Sequence, residues 1–108
     1  MNIALNYGGR EEIVNAAKVI CEKVKNGEIN ADNINDTIFS DYLYTSNQPD
    51  IDLLIRTSGE QRLSNFMLWQ VSYAEMWFTD KLWPDFKPDD LHKAIIDFQS
   101  RGRRFGGI

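Results

Sequence analysis

This sequence of 108 residues contains one cysteine and three prolines, and it has no long apolar run. A single cysteine, Cys21, excludes an internal disulfide framework and a zinc site built from cysteines. No apolar stretch approaches the roughly 20 residues that a membrane-spanning helix needs. The first residues also lack the basic and then apolar pattern of a secretory signal. We therefore expect a chain without a membrane span, in a reducing, cytoplasmic compartment.

Positive charge is scarce as well, because 12 Lys and Arg face 16 Asp and Glu, for a formal charge of −4. This balance argues against nucleic acid as a partner that the overall field would attract. Hydrophobic residues make up 43% of the chain and charged residues 26%, which is typical of a folded globular protein. The length suits one domain.

The apolar pattern predicts short strands that alternate with helices. A buried strand is expected at 3–7, followed by a helix whose apolar face runs from Ile13 to Val24. The polar stretch 30–47 has the spacing of one or two short helices. The mostly apolar run 51–57 is typical of a strand that is covered on both faces.

The second half of the chain continues the alternation. Ser64 and Asn65 are expected to cap a third helix, with Phe66, Trp69 and Tyr73 on one face. Residues 74–79 form a candidate strand, and Pro88 opens a last helix.

These elements indicate an α/β fold with a mainly parallel sheet flanked by helices. Two or three strands make a thin sheet, and the first begins at residue 3. We expect residues 1–108 to be the C-terminal segment of a larger single domain, whose sheet this segment leaves incomplete.

The segment 56–65, which follows the second strand, concentrates groups that bind phosphate. It holds two guanidinium groups, those of Arg56 and Arg62, together with small hydroxyl residues and a predicted helix start. Guanidinium groups bind phosphate oxygens in pairs, and a helix start adds free N–H groups at the end of the strands where ligands bind. These features predict a diphosphate site. The alternative is an ordinary turn at 57–59 beside a surface ion pair of Arg56.

Three other polar residues have simpler interpretations. Glu75 stands among apolar residues and needs a cation, for which the spacing alone favours an arginine over Mg²⁺. Cys21 lies on the apolar face of the first helix and is expected to be buried, and His92 is expected to be solvated. Five large aromatic side chains are expected in the core, with a subunit interface as the alternative: Trp69, Tyr73, Trp77, Phe78 and Trp83.

Six short motifs occur along the chain in the order found in one enzyme family. They are Asn6-Tyr7-Gly8-Gly9-Arg10, Arg56-Thr57-Ser58-Gly59-Glu60-Gln61-Arg62-Leu63-Ser64-Asn65-Phe66, Leu68-Trp69-Gln70, Tyr73-Ala74-Glu75, Trp83-Pro84-Asp85-Phe86 and Arg103-Arg104-Phe105-Gly106-Gly107. With them the chain resembles the cis-prenyltransferases, and among these the bacterial undecaprenyl diphosphate synthases. The resemblance covers essentially the whole sequence.

The resemblance implies a transferase that condenses isopentenyl diphosphate with an allylic diphosphate such as farnesyl diphosphate, with Mg²⁺ assisting. The product would be a cis-polyprenyl diphosphate such as undecaprenyl diphosphate, the lipid carrier of cell-wall synthesis. By motif match, the residues that hold isopentenyl diphosphate would be Arg56, Arg62, Leu63 and Ser64. Glu75 would be the metal-associated carboxylate, which replaces the arginine partner that its spacing favours.

The resemblance also implies a homodimer in which Arg104 and Gly106 of the tail reach the neighbouring subunit's site. No catalytic residue is assigned, because the general base is expected in the N-terminal half of the family's domain, and the 108 residues alone should be inactive. A non-catalytic partner subunit that lends its C-terminal arginine is the alternative, against which the intact substrate motifs argue. Two departures stand out: Gln61 where close relatives often have histidine, and Ser58 where glycine is frequent.

Overall fold

The computed structural model describes residues 1–107 and groups them into two compact units. The first, here called the helical unit, comprises residues 1–49 and 65–69. The second, here called the sheet unit, comprises residues 50–64 and the described residues from 70 onward. Neither unit has, within residues 1–107, a helix long and apolar enough to cross a membrane.

The helical unit is built around the helix α1, Gly9–Lys25, and the short helix α2, Asp36–Asp41, with a single 3-10 turn at Ala31–Asn33 between them. The apolar face predicted for α1 is confirmed at Ala16 and Ile20, which are buried. The prediction of short helices in the polar stretch is also confirmed.

The strand predicted at 3–7 is wrong for this structure. Residues 1–6 form no strand and no backbone hydrogen bond with the rest of the described chain, and residues 5 and 6 lie in a bend. Ile3 and Leu5 are exposed. Their apolar pattern is that of a strand, but a strand exists only where a neighbour pairs with it. The apolar pattern therefore shows that residues 3–7 are of the kind found in strands, but it does not show whether a neighbouring strand is present to pair with them.

The sheet unit contains two parallel strands, β1 at Leu53–Arg56 and β2 at Glu75–Phe78. The helix α3, Pro88–Ser100, packs against β2, and its Pro88 stands at the first turn as predicted. Leu54, Val71 and Ala94 are the buried apolar residues of this unit. The α/β class with a parallel sheet is confirmed.

The helix predicted after Ser64 is not formed. Ser64, Asn65 and Met67 have positive φ values of 49°, 62° and 50°, which no right-handed helix contains. The aromatic residues expected to share its face are separated: Phe66 contacts Tyr7, Trp69 packs on Phe39, and Tyr73 packs on Phe105. The spacing of the apolar residues predicted a helix here. The prediction failed because this spacing carries no information on which residues adopt a left-handed backbone.

Two burial predictions also need correction. Cys21 is exposed, so it is not a core thiol. Tyr73 and Trp83 are 60% and 71% exposed, so the aromatic set is not a single core. Leu91 and Ile95 of α3 are partly exposed as well, because the two-stranded sheet is too narrow to cover the whole apolar face of the helix.

Candidate substrate site

Arg56 and Ser64 lie together at the carboxyl end of β1. Arg56 is the last residue of the strand and is half-buried, and one of its guanidinium nitrogens, Nη2, lies 3.4 Å from Oγ of Ser64. Arg56 takes part in none of the ion pairs within residues 1–107, so the alternative of a surface carboxylate partner does not apply to the described chain. A guanidinium held by a weak hydroxyl contact can exchange that contact for phosphate oxygens.

The loop that follows β1 is fixed by the backbone beyond β2. The N–H of Ser58 donates to the carbonyl of Lys81 at 2.7 Å, and the N–H of Gly59 donates to the carbonyl of Thr79 at 3.0 Å. Ser58 and Gly59 both have positive φ, at 67° and 69°. Glycine adopts this conformation freely and serine does not, which explains in physical terms why glycine suits position 58.

Arg62 stands apart from the Arg56–Ser64 pair. Its guanidinium forms an ion pair with Glu60 at 2.5 Å, and its side chain is 65% exposed. Exposed ion pairs contribute little stability, so a diphosphate could take the place of Glu60 at little cost. Leu63 is half-buried between these two polar positions.

Glu75 does have the arginine partner that its spacing predicted. Nη1 of Arg101 lies 3.1 Å from Oε2 of Glu75 and 2.9 Å from the carbonyl oxygen of Met76. Nε and Nη2 of the same arginine contact Oδ2 of Asp97 at 3.0 Å and 2.6 Å. The hydrogen bonds from Arg101 to Glu75 and Asp97 raise the pKa of Arg101 above its usual value, so the guanidinium stays charged.

The residues around Glu75 fit a metal ion only as part of a larger ligand set. Residues 1–107 contain no group of three or more His, Cys, Asp or Glu side chains that could hold a metal ion. Oε1 of Glu75 accepts no hydrogen bond from the described residues, whereas Oε2 is bound by Arg101. Mg²⁺ commonly takes one or two carboxylates and completes its shell with water and substrate phosphates. One free carboxylate oxygen fits that role.

Glu75 and Arg56 lie at opposite ends and on opposite faces of the sheet. Leu53 pairs with Glu75 and Arg56 pairs with Phe78, so three residue steps, about 10 Å, separate the two along the strands. Paired residues point to the same face and successive residues alternate. Glu75 therefore shares a face with Leu53, and Arg56 lies on the other face.

The tail after α3 lies at the same end of the sheet as Glu75. Arg103 forms an ion pair with Asp52 at 2.5 Å and donates to the carbonyl of Tyr73 at 3.0 Å. The ring of Tyr73 lies in edge contact with Phe105, and a Cβ on Gly106 would come within 3.0 Å of that ring. Arg104, between them, is exposed. The tail is thus anchored on both sides of an exposed arginine.

In the helical unit, Asn65 caps a helix other than the predicted one. Its backbone carbonyl accepts the N–H of Gly9 at 2.7 Å, and its side-chain oxygen accepts the N–H of Arg10 at 2.8 Å. These are the first two residues of α1, and Gly8, the residue just before the helix, provides no side-chain cap. The prediction that Asn65 caps a helix is correct, but the sequence does not show which helix it caps.

A cavity of about 530 Å³ also lies in the helical unit. Apolar residues of its wall include Ile3, Leu5 and Phe66. The same wall carries Glu12, which is 1% exposed and accepts hydrogen bonds from the hydroxyl of Tyr7 and, at 2.7 Å, from the N–H of Tyr44. Sequence analysis missed this buried carboxylate, although its spacing of four and eight residues from the buried Ala16 and Ile20 places it on the apolar face of α1.

Comparison with known proteins gives a consistent result. The family model described as "Putative undecaprenyl diphosphate synthase" matches residues 1–106. The isoprenyl transferase of Bacillus subtilis is 63% identical over all 108 residues, which match 42% of that protein. The ditrans,polycis-undecaprenyl-diphosphate synthase of Micrococcus luteus, named as specific for (2E,6E)-farnesyl diphosphate, is 56% identical over 97% of this chain and 42% of its own length.

A solved structure is also similar to this chain. Lavandulyl diphosphate synthase from Lavandula x intermedia, in complex with dimethylallyl diphosphate, matches with a TM-score of 0.90 and 48% identity. The match covers 95% of this chain and 44% of the plant enzyme. The chain thus spans less than half the length of each of these three proteins.

Proposed function

This chain belongs to the undecaprenyl diphosphate synthase family of prenyltransferases, and from that membership we propose that it supplies the isopentenyl diphosphate half of a cis-prenyltransferase active site. The observation that carries the proposal is the pairing of Arg56 with Ser64 at the carboxyl end of β1, where parallel sheets bind their ligands. Arg62, six residues beyond the end of β1, provides a second cation on an exposed side chain. The substrate of this half-site is isopentenyl diphosphate, and the other half takes an allylic diphosphate.

In the proposed mechanism these residues bind and orient the substrate. The guanidinium groups of Arg56 and Arg62 hold the diphosphate through paired hydrogen bonds, and the hydroxyl of Ser64 donates to a third oxygen. Leu63, half-buried, packs against the isoprene chain. Fixing the diphosphate places the double bond of isopentenyl diphosphate for attack on the allylic carbon, and this positioning supplies much of the rate.

Two further groups complete the proposed site. Mg²⁺, held in part by Glu75, would neutralise the negative charge on the leaving diphosphate. In a homodimer, Arg104 and Gly106 of one subunit's tail reach the diphosphate of the other. The general base and the binding surface for the allylic chain belong to the part of the family's domain outside these 108 residues.

The test is a chimaera in which these 108 residues replace the matching 42% of the Bacillus subtilis isoprenyl transferase. With Mg²⁺ and farnesyl diphosphate, the chimaera should incorporate labelled isopentenyl diphosphate into long-chain product. The isolated 108 residues should not. A chimaera that folds but does not incorporate isopentenyl diphosphate would overturn the proposal. Turnover by the isolated chain would overturn the claim that these residues form only half of a site.

Two substitutions in the chimaera separate the site from general effects of charge. Arg62→Ala should raise the KM for isopentenyl diphosphate by at least about tenfold, since each lost charge-assisted hydrogen bond is worth about 1.5 to 3 kcal/mol. Lys25→Ala removes a positive charge from the exposed end of α1 and should leave the KM unchanged. Equal effects of the two substitutions would contradict the assignment.

A further inference from the structure

Two loops of the sheet unit lie against each other: residues 57–62, here called the β1 loop, and residues 79–81, here called the β2 loop. Two N–H groups of the β1 loop donate to two carbonyls of the β2 loop, at 2.7 Å and 3.0 Å. The loops also approach closely at a third point, since a Cβ on Gly59 would come within 3.2 Å of Oδ1 of Asp80. A displacement of the β2 loop is therefore passed on to the β1 loop, which carries Arg62.

The β2 loop is in turn tied to the start of α3 by one ion pair. Nζ of Lys81 lies 2.7 Å from Oδ1 of Asp90, a buried residue in the first turn of α3. The other carboxylate oxygen, Oδ2, accepts the N–H of Lys87 at 2.9 Å. A carboxylate that is held at both oxygens is a rigid anchor for the lysine.

The anchor acts on the part of Lys81 that supports the β1 loop. Its carbonyl is the one that accepts the N–H of Ser58 at 2.7 Å, so fixing its side chain restricts that carbonyl as well. The side chain of Lys81 is 50% exposed, and without a partner a lysine at the surface samples many rotamers. The hydrogen bond from Lys81 is the first cause that lowers the pKa of Asp90, so the pair is charged at neutral pH.

Arg62 needs such external support, because its own ion pair does not provide it. The partner of its guanidinium, Glu60, belongs to the same loop, and the side chain of Arg62 is 65% exposed. This ion pair therefore moves with the β1 loop and cannot fix the loop relative to the sheet. The position of the guanidinium depends on where the loop is held.

We propose that Lys81 and Asp90 are positioning residues for the isopentenyl diphosphate site: they fix the β2 loop, which holds the β1 loop where Arg62 can bind the diphosphate. This inference rests on the proposed function, because it takes Arg62 to bind that diphosphate. In this arrangement the first turn of α3 supports the substrate site through two successive loops, and neither Lys81 nor Asp90 touches the substrate.

The first test is a calorimetric titration of the chimaera with isopentenyl diphosphate and Mg²⁺. Lys81→Met removes the link but leaves the carboxylate that accepts the N–H of Lys87, and it should raise the Kd by at least about fivefold. The matched control, Asp89→Asn, removes a negative charge from the same turn of α3 on an exposed residue, and it should leave the Kd unchanged. An unchanged Kd in Lys81→Met, while Arg62→Ala still weakens binding, would overturn the inference and leave the proposed function standing. An unchanged Kd in Arg62→Ala would overturn the proposed function.

A double-mutant cycle distinguishes positioning from direct binding of the diphosphate by Lys81. Asp90→Asn keeps an oxygen that can accept the N–H of Lys87, but it releases the lysine. If Lys81 bound the substrate itself, its release would leave the affinity unchanged or increase it. The inference predicts that Asp90→Asn weakens binding about as much as Lys81→Met, and that the double variant binds no more weakly than either. Additive losses would overturn it. Because Lys81 is half exposed, Lys81→Met decides the question even where Asp90→Asn does not fold.

Steady-state kinetics separate positioning from a general loss of stability. Lys81→Met should raise the KM for isopentenyl diphosphate, whereas kcat and the KM for farnesyl diphosphate should stay within about twofold of the wild type. Lys81→Arg keeps a cation that can bind Asp90, and it should restore most of the affinity. A fall in kcat alone, or equal changes in both KM values, would assign the pair a merely structural role and overturn the inference.

Amide hydrogen exchange measures the link without substrate. In Lys81→Met and Asp90→Asn, the peptide that covers the β1 loop should exchange at least about fivefold faster than in the wild type, because its two N–H groups lose a fixed acceptor. In Asp89→Asn the exchange of this peptide should not change. Exchange of the β1 loop that is the same in all the variants would show that the ion pair does not hold the loop, and would overturn the inference.

Discussion

Asn65 offers a sharp test of how the start of α1 is stabilised. Its carbonyl and side-chain oxygen accept the first two N–H groups of the helix at 2.7 Å and 2.8 Å, from a position 55 residues away in the sequence. Asn65→Ala removes the side-chain cap, which costs about 1 kcal/mol, and places alanine at a φ of 62°, which costs about 1 kcal/mol more. The free energy of unfolding should fall by about 2 kcal/mol.

Asn47 is the matched control for this substitution. It has nearly the same backbone conformation, with a φ of 67°, and it is exposed and caps no helix within the described residues. Asn47→Ala should therefore cost only the conformational part, about 1 kcal/mol. Urea unfolding followed by circular dichroism measures both variants, and the difference between them isolates the cap.

A third variant completes the set. Asn65→Asp keeps an oxygen acceptor and adds a negative charge at the N-terminus of α1, so its free energy of unfolding should stay within about 0.5 kcal/mol of the wild type. If Asn65→Ala costs no more than Asn47→Ala, the side-chain hydrogen bond from the N–H of Arg10 contributes nothing, and the account of how Asn65 caps α1 is wrong.

Three further predictions concern single groups. Ser58→Gly should raise the free energy of unfolding by up to about 1 kcal/mol, because glycine adopts the φ of 67° freely. The midpoint of urea unfolding should therefore rise slightly, and a lower midpoint would contradict this. The hydrogen bond from Lys81 lowers the pKa of Asp90, so this carboxylate contributes stability above the ordinary aspartate pKa and loses it as the pH falls below about 4. Lys81→Met should raise the pKa of Asp90 measured by NMR and flatten that acid loss, whereas an unchanged value would refute the pair. Burial and the hydrogen bond to Glu12 raise the pKa of Tyr7, so Tyr7→Phe should remove from an absorbance titration a phenol that ionises above the usual range. An unchanged titration curve would contradict this.

Local signals predicted those parts of the fold that depend on local interactions. The apolar face of α1 and the proline at the first turn of α3 were both visible in the sequence, since each depends on neighbours within a few residues. The two strands of the sheet were predicted because short apolar runs that lie between helical segments are typical of buried strands. The parallel pairing was predicted from strands that alternate with helices, and the structure has this pairing without the helix expected between the two strands.

The errors arose where partners distant in sequence decide the structure. Residues 3–7 have the composition of a strand, but no described strand pairs with them. Residues after Ser64 have helical spacing, but Asn65 adopts a left-handed backbone and caps α1. Local periodicity shows neither that a neighbouring strand is absent nor that the N–H groups at the start of a helix 55 residues away need a cap.

The site shows the same division. Phosphate-binding chemistry at 56–65 was predicted from residue types and their place after a strand, and it stays a prediction. The structure shows that Arg56 and Ser64 of this segment lie in contact. That Glu75 pairs with an arginine was predicted from the free energy that burying an unpaired carboxylate would cost. Its identity as Arg101 was not, although the spacing of Asp97 and Arg101 by four residues is the signal of an ion pair at a helix end.

The measurement that tests the central claim most directly is a calorimetric titration of the chimaera with isopentenyl diphosphate in the presence of Mg²⁺, for the wild type, Arg62→Ala and Lys25→Ala. The account predicts saturable binding in the wild type and in Lys25→Ala, and an affinity at least about tenfold lower in Arg62→Ala. Binding that Arg62→Ala leaves unchanged would show that the segment after β1 does not hold the diphosphate, and it would contradict the account.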